Sequence, residues 1–122
     1  MAISIQQAVE RIKARFEKTV GPDTVDTLKS GDPSQTLRGI VVTFLANRQV
    51  LDQTVVKGAN LLITHEPTFW NDQDKIQDLA ADPIYKFKVE FCTKNNMVVW
   101  RFHDNIHARR PDLIWVGLVR AP

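Results

Sequence analysis

"GIVVTFLANRQVLDQTVVKGANLLIT", residues 39–64, decides the fold. Its first seven residues, Gly39 to Leu45, are β-branched and almost continuously apolar, the pattern of a strand buried on both faces. Asn47 can cap a helix that carries Leu51 and Val55 four apart, and Gly58 stands where a helix terminator belongs. Asn60 to Thr64 then repeat the apolar run as a second buried strand. Further along, Asp82 and Pro83 make a cap and first-turn pair for a helix bearing Ile84, Phe87 and Phe91, and "MVVWRF", Met97 to Phe102, reads as a third strand. Toward the amino terminus, Ser4 and Gln7 have capping-box spacing ahead of an apolar face made by Ile5, Val9, Ile12 and Phe16. Strand, helix, strand, helix, strand predicts an α/β fold: a parallel β-sheet with βαβαβ crossovers and flanking helices. The stretch "GPDTVDTLKSGDPSQTLR", residues 21–38, is rich in turn residues and too long for a plain connection, so it is expected to cover something or to pack against a partner.

Whole-chain numbers limit what such a fold can do. The 122 residues make one domain, 1–122, large enough to bury roughly two thirds of its unfolded surface. With 43% hydrophobic and 25% charged residues the composition is that of an ordinary globule. A net charge of +2 is too small to argue for a nucleic-acid or anionic-membrane partner. Cys92 is the single cysteine, which excludes an internal disulfide and a multi-cysteine zinc site; a core-packing role and a reducing compartment are expected. No run approaches the length of apolar sequence that crosses a bilayer, and no apolar signal core opens the chain. The acidic residues Glu10 and Glu17 argue against a transit peptide, so the expected location is the cytoplasm.

Chemistry concentrates at the strand ends. In open parallel sheets ligands collect beyond the carboxyl ends of the strands. His65 follows the second strand directly and His103 follows the third; His107 lies four residues beyond His103, which on a helical turn puts both imidazoles on one face. Those are all three histidines of the chain, with Glu66 and Asp104 beside them. Imidazole with carboxylate suits a divalent transition metal such as Zn, Fe, Mn, Ni or Co, and the lack of thiolate removes soft-metal readings. Acid/base catalysis by the histidines without metal is the rival chemistry, and it predicts activity that survives chelation. His65 and His103 should then lie close together at the rim. The neighbouring aromatics Phe69, Trp70, Trp100 and Trp115 are expected to pack, and any that are exposed would mark a surface awaiting a partner.

The stretch from Ser30 to Trp70 resembles the amino-terminal half of the dinuclear metal centre proteins, the NGG-one-interacting-factor-three-like family, and "VVWRFHDNIH" lies where that family has an apolar strand followed by a histidine motif. The resemblance covers roughly residues 22 to 120. Family members usually show a histidine pair before proline, then a histidine followed four residues later by aspartate. Here those motifs read His65-Glu66-Pro67 and His103-x3-His107. By position His65 and His103 carry over as metal ligands, while Glu66 and His107 are substitutions that keep ligand-capable atoms.

The resemblance implies metal binding and metal-dependent hydrolase chemistry, on a nucleotide or another phosphate-containing compound, with Asp104 orienting a ligand histidine or assisting proton transfer. Arg101, Arg109 and Arg110 bracket the motif and could attract phosphate. A GTP cyclohydrolase label also attaches to the family, and nothing in these residues speaks for it. Members form toroidal hexamers, so a homo-oligomer is expected, and a non-catalytic regulatory protein with a structural metal is the alternative function. They also run to about twice this length, and their second half supplies another histidine and a glutamate. The chain therefore reads as a fragment or half of a longer two-part protein, with four metal-binding side chains at most, enough for a single ion.

Overall fold

The computed structural model describes residues 2–16, 20–69 and 71–122; the packing role expected of Trp70 and the position of Glu17 lie outside the described residues. The elements run α1 (Ile5–Lys13), β1 (Leu28–Ser30), β2 (Ile40–Thr43), α2 (Arg48–Val56), β3 (Leu61–Thr64), α3 (Pro83–Lys94), β4 (Val98–Arg101), α4 (Asp104–Ala108) and α5 (Leu113–Arg120). Strands β2, β3 and β4 are parallel neighbours, in register from Ile40 beside Leu61 and from Leu61 beside Val98. The sheet order is β1-β4-β3-β2, so the α/β architecture with its two crossovers through α2 and α3 stands as read.

Helix starts follow the local chemistry. Ser4 Oγ accepts from the Gln7 backbone N–H while the Gln7 side chain accepts from the Ser4 N–H, a complete capping box. Asn47 and Asp82 cap α2 and α3 through the N–H groups of Val50 and Tyr85. Because β3 and β4 alternate their side chains between two covered faces, every residue of both strands is buried. Leu61, Ile63, Val98 and Trp100 pack with Ile5 and Val9 of α1, whereas Leu62 and Val99 pack with Leu51 of α2 and Cys92 of α3. Cys92 is thus a core residue, and burial pushes its thiol pKa up.

Three expectations need correction. First, β2 is not buried on both faces. It lies at the sheet edge, and Ile40 and Val42, in register with Leu61 and Ile63, remain exposed, Val42 by 74%, because α1 covers β3 and β4 but does not reach β2. Val41 and Thr43 turn to the other face and are half-buried, Val41 packing against the core there. Second, residues 21–38 hold a fourth strand. Leu28 pairs with Trp100 and Ser30 with Val99, antiparallel to β4, so the sheet is mixed at that edge. Gly31 closes the strand at φ +88°, where an added Cβ would stand 2.4 Å from the Met97 carbonyl oxygen; only glycine fits that approach. Third, Ile84 shares the helical spacing of Phe87 and Phe91 but not their burial, being 65% exposed at the first turn of α3. Of the aromatics, Trp100 is fully buried and Phe69 half-buried, while Trp115 on α5 is exposed. Among the described residues no helix is long and apolar enough to cross a membrane.

Candidate metal centre

Adjacent parallel strands end at the same rim. Thr64 of β3 is level with Arg101 of β4, so His65, one residue on, and His103, two residues on, emerge side by side. The chain turns after β3 because the N–H groups of His65 and Glu66 both donate to the Phe44 carbonyl, and Phe102 N–H donates to the Thr64 carbonyl. Helix α4 then begins at His103, whose own side chain does not cap it. The cap comes instead from Asp26, in the long connection before β1. Its carboxylate accepts from the N–H groups of His103 (2.7 Å), Asp104 (2.8 Å) and Asn105 (3.0 Å) and from Asn105 Nδ2 (2.7 Å), and Asp26 is almost fully buried. One turn of α4 carries His107 back over His103.

The result is a cluster of three imidazoles. Ring centroids lie 4.4 Å apart for His65 and His103, 4.9 Å for His65 and His107, and 4.7 Å for His103 and His107. One ligand-capable nitrogen from each lies within 4.8 Å of the others. Glu66, half-buried, lies outside this group, and Asp104 serves it from behind.

Two of the imidazoles are backed by carboxylates. His103 Nδ1 donates to Asp104 Oδ1 at 2.9 Å, and Asp104 Oδ2 is held by Thr24 Oγ1 (2.8 Å) and the Val25 N–H (3.0 Å). His107 Nδ1 donates to Asp112 Oδ2 at 2.7 Å. A carboxylate can only accept, so each pair fixes the proton on Nδ1 and leaves Nε2 with a lone pair for a metal. His65 has no such backing among the described residues; its Nε2 faces His107 Nε2 at 3.1 Å and Phe44 stacks on its ring. A tetrahedral ion that holds two nitrogens at about 2.1 Å sets them roughly 3.4 Å apart, so this pair is already spaced for a shared cation. The donor set fits a divalent transition metal.

Electrostatics point the same way. Burial, reinforced by the charges that His103 and His107 can carry, lowers the His65 pKa below 6.5, against an opposing pull from Glu66 and the Phe102 backbone. For Asp104, burial acts to raise the pKa, but hydrogen bonds from His103, Val25 and Thr24 outweigh it and keep the carboxyl below its ordinary value. The His107 hydrogen bond does the same to Asp112. Folded His65 resists a proton that the unfolded chain accepts near 6.5, so its contribution is complete above that pH and is lost as pH falls from 6.5 through the lower folded value. Thermal melts of metal-free protein should therefore be level above neutrality and drop below about pH 6.5, and His65→Gln should flatten that step.

An apolar groove of about 430 Å³, lined by Val42, Phe44, Ile63, Phe102, Ile106 and Ile114, reaches His65 from one side, and a second of about 290 Å³ between residues 20–24 reaches Asp104. Arg101 does not serve the site as a phosphate-attracting group. It is buried, donating to the carbonyls of His65 and Asp72 and pairing with Asp74 at 3.6 Å, and so anchors the loop after His65. Arg109 lies over the Phe16 ring, and Arg110 donates to the His107 carbonyl. Asp26 and Asp112 escaped the sequence reading, since neither stands at ligand spacing from a histidine motif; the Asp112-Leu113 start of an apolar terminal helix was the one available signal.

Comparison with known proteins agrees with this fold. The family model of Duf34/NIF3 (NGG1p interacting factor 3) matches residues 4–111. Among solved structures, the chain is similar to a Bacillus cereus protein related to NIF3 (19% identity, TM-score 0.74, covering 88% of this chain and 30% of that one). It is also similar to reduced HcgD from Methanocaldococcus jannaschii (18%, 0.70, 87% and 42%) and to a Staphylococcus aureus hypothetical protein (17%, 0.72, 87% and 34%). The chain thus spans less than half the length of each of these structures. No curated protein matches it. A match running from the capped first helix through His65, His103 and His107 places the chain in the Duf34/NIF3 family.

Proposed function

We propose that the chain holds one divalent transition-metal ion on His65, His103 and His107 and contributes this site to the hydrolysis of a nucleotide or other phosphate-containing compound. The observation that carries the reading is the trio of imidazoles, two of them bonded through Nδ1 to Asp104 and Asp112, which leaves their Nε2 lone pairs for an ion. Three histidines with a remaining coordination position are the donor set of hydrolytic rather than structural zinc sites. A divalent ion bound there supplies Lewis acidity and makes water a competent nucleophile near neutral pH. The chain's own residues do the rest. His65, His103 and His107 hold the ion, and Asp104 orients His103, both its oxygens being engaged. The apolar groove of about 430 Å³ borders His65 on one flank of the site.

The 122 residues act, in this reading, as one α/β unit of a larger cytoplasmic assembly, a homo-oligomer of the hexameric kind or a two-part chain. Val42, Phe44, Trp115, Leu118 and Val119 are each at least 60% exposed, apolar surface that a partner in such an assembly would cover. The same surface favours the second reading, a regulatory oligomer whose metal is structural. Titration of zinc into metal-free protein tests the central part: one equivalent should bind, more weakly as pH falls through about 6.5 because each imidazole must be deprotonated. Two tight equivalents, or none, would refute it. Phosphate-ester hydrolysis by the loaded protein that a chelator abolishes supports the hydrolytic reading, whereas hydrolysis that survives chelation assigns the chemistry to the imidazoles alone.

A further inference from the structure

Helix α5 has no buried residue, and it presents Trp115, Leu118 and Val119 to solvent. Burial therefore does little to hold it, and its first turn is where it is tied down. Asp112 is its cap, with Oδ1 accepting from the Ile114 N–H at 2.9 Å. The other oxygen of the same carboxylate, Oδ2, accepts from His107 Nδ1 at 2.7 Å. We infer that Asp112 is a positioning residue for the metal centre, one oxygen fixing the start of α5 and the other fixing His107, so that metal binding and the docking of α5 support one another. The inference rests on the metal-binding reading above.

The physical reason is the double acceptor. His107 comes from α4, which has only five residues and takes its own cap from Asp26 at its far end. Nothing in so short a helix fixes the imbalance between the two ring nitrogens of His107; the carboxylate does, by holding the proton on Nδ1 and leaving Nε2 to face His65 Nε2. An ion on Nε2 increases the positive charge on the Nδ1–H, which strengthens the bond to Asp112 and with it the cap of α5. Linkage then requires the converse: whatever steadies the start of α5 raises the affinity for metal.

Asp112→Asn separates this role from simple capping. Asparagine caps a helix as well as aspartate and has nearly the same shape, but its amide has one oxygen. If that oxygen stays on the Ile114 N–H, the amide NH2 faces His107 Nδ1 and favours the tautomer with the proton on Nε2, the nitrogen needed for metal. The expected result is a loss of zinc affinity of about 10- to 100-fold, the usual cost of losing an outer-shell carboxylate, with the melting temperature of the metal-free protein nearly unchanged. Asp112→Glu, which keeps two acceptor oxygens, should recover part of the loss. Hydrogen exchange gives a second readout: zinc should slow exchange at the Ile114 amide in the wild type and much less in Asp112→Asn. Wild-type zinc affinity in Asp112→Asn, while His107→Ala loses the metal, would overturn the positioning role and leave the metal site standing. Wild-type affinity in both variants would remove the metal reading and this inference with it.

Discussion

His65→Ala protein should bind zinc about a hundredfold more weakly than the wild type, and His103→Ala should match it. Structural zinc sites with four ligands are worth about 10–16 kcal/mol, so a single ligand accounts for roughly 3 kcal/mol, about two powers of ten in affinity. His65 is the sharper test of the two. It is buried, Phe44 stacks on it, and its Nε2 already lies 3.1 Å from His107 Nε2, so it is the imidazole most firmly placed inside the cluster. Competition titration against a chromophoric chelator reads the change directly. An affinity within threefold of wild type in both variants would mean that the ion, if bound, sits elsewhere.

The largest stability effect should come from Asp26. Removing this buried carboxylate takes away four hydrogen bonds, three of them from the N–H groups that start α4. Each orphaned buried donor costs about 1–3 kcal/mol where water cannot reach it, and partial relaxation of the loop before β1 brings the expected loss for Asp26→Ala to about 3–5 kcal/mol. Urea unfolding checks the value. Zinc affinity should fall as well, because the turn that carries His103 and Asp104 loses its anchor. A loss below about 1 kcal/mol would show that the first turn of α4 is capped by something other than Asp26.

The parts of this molecule that could be read in advance are those in which a few consecutive residues decide the outcome. Ser4 and Gln7, Asn47, and Asp82 with Pro83 carry their capping chemistry within one turn, and the helices begin where those residues stand. The three histidines were legible because a strand end is a position in space as well as in sequence: parallel neighbours bring His65 and His103 to one rim. What stayed hidden depends on distant partners. Gly39 to Leu45 looks as apolar as Asn60 to Thr64, yet sheet order alone makes the first an exposed edge and the second a buried centre. Leu28 to Ser30 has no strand pattern of its own; it becomes β1 by pairing with Val99 and Trp100. Asp26 sits 77 residues from the His103 N–H it binds, a separation that no motif spans. Arg101 looks like a phosphate-binding arginine beside a histidine motif, and only the fold reveals that Asp74 and two carbonyls already occupy it.

X-ray absorption at the zinc edge, on wild-type protein loaded to one equivalent, tests the central claim most directly. The account predicts a first shell of nitrogen and oxygen at about 2.0–2.1 Å, with the outer-shell scattering of three imidazoles. Sulfur at about 2.3 Å, or a first shell without imidazole scattering, would contradict it.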